Sequence, residues 1–165
     1  MSSPKLILGL ILGISALVGL MLLPVRTLEV TSKHRGAVVW RARAAPGDVV
    51  TFSYIHSIEN IPVEGRFAIE ADGMLRVVET RFASYGAGLP PPSARSADGK
   101  WLVAPGGEKI PRFSFYMAPI NQPRLHVNDR TLDLAALLEP GDVLTLSSAR
   151  FPWLLMCLKH PEERP

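Results

Sequence analysis

The segment from Tyr54 to Glu64 contains the side chains best suited to chemistry in this chain of 165 residues. Its imidazole and carboxylate groups could exchange protons or hold a metal ion, and its hydroxyl groups could bind a small polar molecule or a partner peptide. His56 and Ser57 are adjacent, so on a strand their side chains point to opposite faces, a poor geometry for proton transfer between them. The sequence also contains no nucleophile-elbow motif, and hydrolase chemistry is therefore disfavoured.

A metal site built on this segment would use His56, Glu59 and Glu64 as ligands. Structural zinc normally takes four protein ligands and catalytic zinc takes three with a water, but no cluster of His or Cys lies nearby in the sequence. Three interpretations therefore stay open: a ligand-binding or partner-binding edge, a metal-binding protein or enzyme centred on His56 and Glu59, and a structural interaction module without ligand. In the last of these, the side chains hydrogen-bond the backbone where the strand bends.

The second segment of interest runs from Glu79 to Pro90 and consists of a strand that ends in a glycine loop. Phosphate-binding glycine loops lead into a helix, whereas three consecutive prolines follow here, which disfavours a nucleotide site. We instead expect a turn with a positive φ at Gly86 or Gly88. The candidate contacts for a ligand or partner are Tyr54, His56, Ser57, Glu59, Ser84 and Tyr85, and the candidate structural turn residues are Pro62, Gly86, Gly88 and Pro90.

Alternating apolar and polar residues predict the strands that must position these side chains. The alternation is clearest over residues 48–56, 63–71 and 74–82, and clusters of Gly, Pro and Asp separate the strands. If these three strands form an antiparallel meander, the two segments meet at one rim. The spacing predicts a mainly β domain, an antiparallel sandwich or open barrel, with at most one short helix, over Leu132 to Leu138.

An uncharged apolar run from Leu6 to Leu23 precedes this domain and is near the lower length limit for a transmembrane helix, roughly 17 to 25 residues. A cleaved signal peptide is the alternative, but no small residues typical of a cleavage site follow the run, which favours an uncleaved anchor. The count of Lys and Arg on either side favours a cytoplasmic domain, whereas a short basic stretch before a leading apolar segment favours export, and we weight export more heavily. Gly9 and Gly13 form a Gly-x-x-x-Gly pair that allows close approach of a second membrane helix.

We therefore divide the chain into an N-terminal anchor or signal segment over residues 1–25, a β domain over residues 26–150 and a C-terminal tail over residues 151–165. We expect a single-pass protein of the inner membrane with its soluble domain in the periplasm. The formal net charge of +3 arises from 18 Lys and Arg against 15 Asp and Glu. The sequence has no basic stripe and no basic run interleaved with aromatic residues, so nucleic acid is not an expected partner. No cofactor is expected.

Two motifs in these segments resemble a known family. Tyr-x-His-Ser-x-Glu-x-x-Pro-Val spans Tyr54 to Val63, and Ser-x-Gly-Ala-Gly-Leu-Pro spans Ser84 to Pro90. Together they are similar to a bacterial family of small domains of unknown function, typically encoded beside tripartite ATP-independent periplasmic (TRAP) transporters of the TAXI type. The similarity covers most of the chain after the apolar run. It implies a membrane-anchored protein associated with solute uptake at the inner membrane, with the transporter's membrane subunit as a partner, and it implies no catalytic residues.

Overall fold

The computed structural model describes residues 4–158, without the side chains of residues 4–6, 16–17 and 157–158. Its helices are α1 (Pro4–Met21) and α2 (Trp153–Leu158), and single 3-10 turns cover Pro119–Asn121 and Leu134–Ala136. Its strands are β1 (Pro24–Ser32), β2 (Ala37–Arg43), β3 (Val49–Ile55), β4 (Pro62–Ile69), β5 (Leu75–Phe82), β6 (Ala94–Arg95), β7 (Leu102–Pro105), β8 (Lys109–Ile110), β9 (Arg112–Tyr116), β10 (Arg124–Val127), β11 (Arg130–Asp133) and β12 (Val143–Pro152). The prediction of a mainly β domain is confirmed.

The strands form two antiparallel sheets. The first sheet has the order β2-β1-β12-β9, and the second has the order β11-β10-β3-β4-β5-β7-β6, with β8 paired to β5. The strands predicted over residues 48–56, 63–71 and 74–82 correspond to β3, β4 and β5. Their meander is confirmed, because β4 pairs antiparallel with β3 on one side and with β5 on the other.

One apolar core lies between the two sheets. Leu28 of the first sheet and Phe52 of the second are almost completely buried in it. Aromatic rings join the layers: the ring centroids of Phe52 and Phe115 lie 4.8 Å apart, and those of Phe67 and Phe113 lie 4.9 Å apart. Tilted aromatic pairs at this distance stabilise the fold by about 0.5–1.5 kcal/mol each beyond the burial of their area. The two sheets therefore face each other as the layers of a sandwich.

The strand directions define two ends of the domain. Pro24 at the start of β1 pairs with Pro152 at the end of β12, so the segments that lead to α1 and α2 leave the sheet at the same end, the helix-proximal end. The β4–β5 hairpin lies there too, because the Arg26 guanidinium donates a hydrogen bond to the Ala71 carbonyl over 2.7 Å. The loops that follow β3 and β5 lie at the opposite, distal end.

The segment Leu132 to Leu138, the one place where the sequence allowed a short helix, does not form an α-helix. Leu132 belongs to β11, and a single 3-10 turn follows, in which the Asp133 carboxylate caps the turn by accepting from the Ala135 N–H over 2.9 Å. The cause is the preceding loop, where Asn128 adopts a left-handed conformation with φ +52°. That conformation closes a tight hairpin between β10 and β11, in which Leu132 pairs with Leu125.

The two α-helices flank the predicted domain. β1 begins two residues before the predicted domain bound of residue 26, and β12 ends two residues after the bound of residue 150. α2 follows β12 directly in a segment that we expected to be a tail, and residues 159–165 of that tail lie outside the described residues. Within the part of the chain that the structure describes, no helix has both the length and the apolar character needed to cross a membrane.

Candidate functional site

The loop between β3 and β4 is a compact turn organised around His56. The His56 N–H donates to the Ile61 carbonyl and the Asn60 N–H donates to the His56 carbonyl, both over 2.8 Å. The Glu59 N–H donates to the His56 Nδ1 over 3.4 Å. Asn60 has φ +54°, a left-handed conformation that Asn tolerates better than most residues. The chain therefore turns sharply after β3, and the backbone of the loop engages the His56 ring.

The glycine loop after β5 packs against this turn. A Cβ atom built on Gly86 would lie 2.9 Å from the Glu59 Cγ and 3.1 Å from the Leu89 Cδ1. Carbon atoms that are not bonded do not approach so closely, so glycine alone fits here without displacing Glu59. The Leu89 N–H donates to the Gly86 carbonyl over 3.3 Å, and Gly88 within this turn has φ +79°. The two segments meet at the distal end, and the expected positive φ is found at Gly88.

Tyr54 supports the loop from the core side. Its half-buried ring lies 5.9 Å from the Phe52 ring and 4.9 Å from the Phe115 ring, measured between centroids. Burial raises the pKa of the Tyr54 hydroxyl above its ordinary value. Tyr54 is therefore a neutral aromatic residue that packs under the loops at the distal end.

Four of the six candidate contacts are exposed at the distal end: Ser57, Glu59, Ser84 and Tyr85. Their loops also carry Ile58, whose exposed fraction is 74%, against 67% for Tyr85. We call the surface formed by residues 56–60 and 84–86 the distal rim. It combines two large exposed apolar side chains with hydroxyl and carboxylate groups, a composition that suits contact with a partner or a small polar molecule.

The sequence analysis did not single out Ile58 as a candidate contact. Its sequence context could have indicated exposure, because Ile58 is an isolated apolar residue between Ser57 and Glu59 in a loop without strand alternation. Two other exposed apolar residues lie at the same end, Tyr116 at the end of β9 and Ile120 in the first 3-10 turn. The Asn121 side-chain amide of that turn donates to the Ile55 carbonyl over 2.9 Å, which joins the turn to the end of β3.

The proline candidates for structural turns occupy different kinds of position. Pro62 is the first residue of β4 and pairs with Ile55, where the missing N–H of proline is tolerated. Pro90 is exposed and follows the glycine turn outside regular structure. The turn itself is formed by Gly86 and Gly88, and only Gly88 of these two has a positive φ.

The hypothetical metal ligands do not form a cluster. Among residues 4–158, no group of three or more His, Cys, Asp or Glu side chains is arranged to hold a metal ion. Glu64 lies in β4, opposite Ser53 on one side and Arg81 on the other, whereas His56 and Glu59 lie in the loop between β3 and β4.

Residues 50–134, just over half of the chain, match the family described as a domain of unknown function, DUF1850. The protein belongs to this family, which confirms the expectation of a domain-of-unknown-function family. No curated protein and no solved structure matches the chain. The matched region contains both loops of the distal rim and nearly all of β3, whereas β1, β2 and β12 of the first sheet lie outside it.

Proposed function

We propose that this protein is a membrane-anchored accessory or binding subunit that acts beside a TAXI-type TRAP solute transporter, with its β domain in the periplasm. The observation that carries this proposal is the distal rim, where Ile58 and Tyr85 are exposed among polar side chains. Energetically important contacts at protein interfaces are enriched in aromatic side chains that a polar surround shields from water. The family resemblance rests on these same two loops, which supports a transporter component as the partner.

Membrane attachment is part of the proposal and is supported by residues 6–23, which carry no charge. The large apolar side chains that α1 exposes are Ile7, Leu8, Leu10, Ile11, Leu12, Ile14, Val18 and Leu20. A continuous apolar surface of this kind normally marks a membrane or protein contact. A Cβ built on Gly9 or on Gly13 would meet no atom within 4 Å, so a helix of the transporter's membrane subunit has room to pack closely on that side.

The two contacts would lie at opposite ends of the domain. β1 has nine residues and runs along the domain from the helix-proximal end. At about 3.3 Å per residue, such a strand spans roughly 30 Å. We therefore assign the contact with the membrane subunit to α1, and the contact with a soluble component or the solute to the distal rim.

Deletion of the gene tests the accessory role. We expect the uptake of the transporter's solute to fall while the amount of the transporter's membrane subunit in the membrane stays constant. Re-expression of the full chain should restore uptake. Unchanged uptake in the deletion strain would refute the proposal.

Variants of the distal rim test which surface makes the contact. The tagged full chain carrying Ile58→Ser and Tyr85→Ser should co-purify at least about tenfold less of the transporter's soluble component in mild detergent, because exposed anchors of this kind dominate binding. The amount of the membrane subunit, which α1 contacts, should stay the same. Val49→Ser is the matched control, since Val49 is an exposed apolar strand residue at the helix-proximal end. Co-purification that the rim variant leaves intact, or that Val49→Ser lowers equally, would exclude the distal rim as the contact.

A further inference from the structure

A cavity of about 480 Å³ opens at the helix-proximal end of the domain. β1 and β12 contribute Arg26, Ser148 and Arg150 to its wall, and the β4–β5 hairpin contributes residues 71–74. Its volume falls in the range of pockets that hold small ligands, roughly 300 to 1,000 Å³. The cavity is separate from the distal rim, which lies at the other end of the strands.

Two arginines stand side by side in the cavity wall. Arg26 and Arg150 are register partners in β1 and β12, so their side chains leave the same face of the sheet. Like charges at directly opposite positions destabilise a strand pair. Neither guanidinium forms an ion pair with an Asp or Glu in the described part of the chain. An anion bound between them would relieve this repulsion.

The Arg26 side chain is already held in place. Its Nη2 donates to the Ala71 carbonyl over 2.7 Å, and its Nη1 donates to the Ser148 hydroxyl over 3.2 Å. The guanidinium passes over Gly73 so closely that a Cβ there would lie 2.6 Å from Nη1. Because the guanidinium is fixed in advance, less conformational entropy is lost when its remaining N–H groups bind an anion.

Asp72 contributes a carboxylate to the same wall, but that charge is already engaged. The carboxylate accepts a hydrogen bond from the Met74 N–H over 2.9 Å and lies 3.5 Å from the Lys109 Nζ. Lys109 also lies 3.2 Å from the Glu70 carboxylate, which Arg76 contacts over 2.7 Å. These two acidic and two basic side chains offset one another, so the charges of Arg26 and Arg150 remain in excess. Two guanidinium groups beside a hydroxyl match the several acceptor oxygens of a phosphate group.

The position of the cavity indicates which phosphate would reach it. Arg26 lies two residues beyond Pro24, about 7 Å along the strand, and the lipid headgroup layer on each side of the hydrocarbon core is about 5–8 Å thick. α2 begins with Trp153, whose backbone N–H donates to the Leu23 carbonyl over 3.3 Å, so Trp153 is level with the end of the uncharged segment and three residues closer to it than Arg26. Tryptophan is enriched at this boundary of the membrane.

We propose that this cavity binds the phosphate group of a membrane phospholipid, an inference that rests on the membrane attachment in the proposed function. The phosphate accepts hydrogen bonds from Arg150, from the remaining N–H groups of Arg26 and from the Ser148 hydroxyl. α2 lies on the membrane surface beside it. Together with α1, this contact fixes the height and rotation of the domain, so that the distal rim points away from the lipid.

Calorimetric titration of the full chain in a non-ionic detergent tests the site. Dihexanoyl-phosphatidylglycerol is the probe, dihexanoylglycerol is the control for the acyl chains, and inorganic phosphate is the control for a free anion. We expect saturable binding of the phospholipid alone. Arg150→Gln should weaken it about tenfold or more and Ser148→Ala several-fold, since both remove donors to a charged group. Arg150→Lys keeps the charge but not the planar fork of donors, so its loss should be intermediate.

Arg95→Gln is the matched control, because Arg95 is an exposed arginine in β6, toward the distal end, and its removal changes the net charge equally. The affinity of the Arg95→Gln variant for the phospholipid should stay within about twofold of that of the original chain, as expected for a substitution far from the site. Arg150→Gln is expected to unfold at the same urea concentration as the original chain or at a slightly higher one, because Arg150 is exposed and its replacement removes the repulsion with Arg26. The lipid assignment would be overturned by absent binding, by equal losses for Arg150→Gln and Arg95→Gln, or by inorganic phosphate competing as strongly as the phospholipid.

This titration needs no transporter, so it separates the two proposals. Absent lipid binding together with lowered uptake in the deletion strain would remove the lipid site and leave the accessory role. Lipid binding together with unchanged uptake would remove the accessory role and leave the site.

Discussion

Gly86 leaves room for the Glu59 side chain, since a Cβ at Gly86 would lie 2.9 Å from the Glu59 Cγ, although 27 positions separate the two residues in the sequence. This close approach joins the loop after β5 to the loop after β3 and so builds the distal rim from two segments. It also explains a glycine that the backbone alone does not require, because Gly86 has no positive φ, in contrast to Gly88.

The two glycines should respond differently to substitution by alanine. Gly88→Ala should lower the free energy of unfolding by about 1 kcal/mol, because φ +79° is unfavourable for a residue with a Cβ. Gly86→Ala acts through the clash with Glu59 instead, so the Glu59→Ala background should reduce its effect and leave that of Gly88→Ala unchanged. Urea unfolding of the three single variants and the two double variants measures both effects. Additive effects for Gly86→Ala and Glu59→Ala would mean that the contact has no energetic consequence.

Asp142 ties the β1–β2 hairpin to the start of β12. Its buried carboxylate accepts hydrogen bonds from the Ser32 hydroxyl and from the N–H groups of His34 and Val143. Asp142→Asn should lower the free energy of unfolding by about 2 kcal/mol, because the neutral amide offers one acceptor oxygen and weaker bonds. Chemical unfolding of the full chain at neutral pH measures the loss.

Asp48→Asn is the matched control for this variant. Asp48 occupies the same sequence, Pro-Gly-Asp-Val, at residues 46–49 before β3, and Asp142 occupies it at residues 140–143 before β12. The Asp48 carboxylate is half-buried and accepts from the Ala45 N–H over 2.8 Å. Its replacement should have a smaller effect than that of Asp142. Equal effects would attribute the stability to the turn sequence rather than to the buried carboxylate.

Acid should weaken the contribution of Asp142. Burial raises the pKa of this carboxyl group, but hydrogen bonds from Ser32, His34 and Val143 outweigh burial and hold the pKa below its ordinary value. A group with a lowered folded-state pKa adds stability above its unfolded-state pKa, about 3.9, and this stability is lost as the pH falls through the folded-state pKa. The difference in unfolding free energy between the original chain and Asp142→Asn should therefore be constant above about pH 5 and shrink below about pH 4. A difference that persists unchanged to about pH 2 would disprove this account.

Alkali should weaken the contribution of Tyr54. Burial raises the pKa of its hydroxyl, so its share of the stability is present below the unfolded-state pKa, about 10, and is lost as the pH rises through the folded-state pKa. Tyr54→Phe should therefore reduce the loss of unfolding free energy between about pH 9 and pH 11. Tyr85→Phe removes a hydroxyl from an exposed ring and serves as the control. The prediction fails if the two variants lose stability equally over this pH range.

The strands that alternate strictly, and the mainly β class that they indicate, were predictable from the sequence, whereas the pairing of strands distant in the sequence was not. Val50 and Phe52 sit on one face of β3, and this period of two also placed β4 and β5 within two residues of their observed bounds. Alternation does not identify a partner strand, so the pairing of β1 with β12 was out of reach. The segment from Leu132 to Leu138 misled us, because leucines spaced for a helix equally suit a strand followed by a 3-10 turn.

The candidate site was predictable only in part. Positive φ in the glycine loop follows from residue type, and a meander brings the loops after β3 and β5 to one end whatever their length. The exposure of Ile58 could not be predicted from a periodic pattern, because the local backbone conformation of a loop determines the direction of each of its side chains. The side-by-side placement of Arg26 and Arg150 depends on the register between two strands that are far apart in the sequence.

The union of β1 with β12 has a consequence for how the molecule assembles. Arg26 and Ser148 are 122 positions apart, and the register joins the two strands along the whole length of β1. Contacts between such remote positions form slowly, because a long loop must close before any of them is gained. The β3–β4–β5 meander and the β1–β2 hairpin can form as the chain emerges, whereas the other edge of β1 must wait for β12. We expect one edge of β1 to stay unpaired in the newly made chain until β12 has been synthesised. An unpaired strand edge favours misassembly, so a chaperone would have its largest effect at this stage.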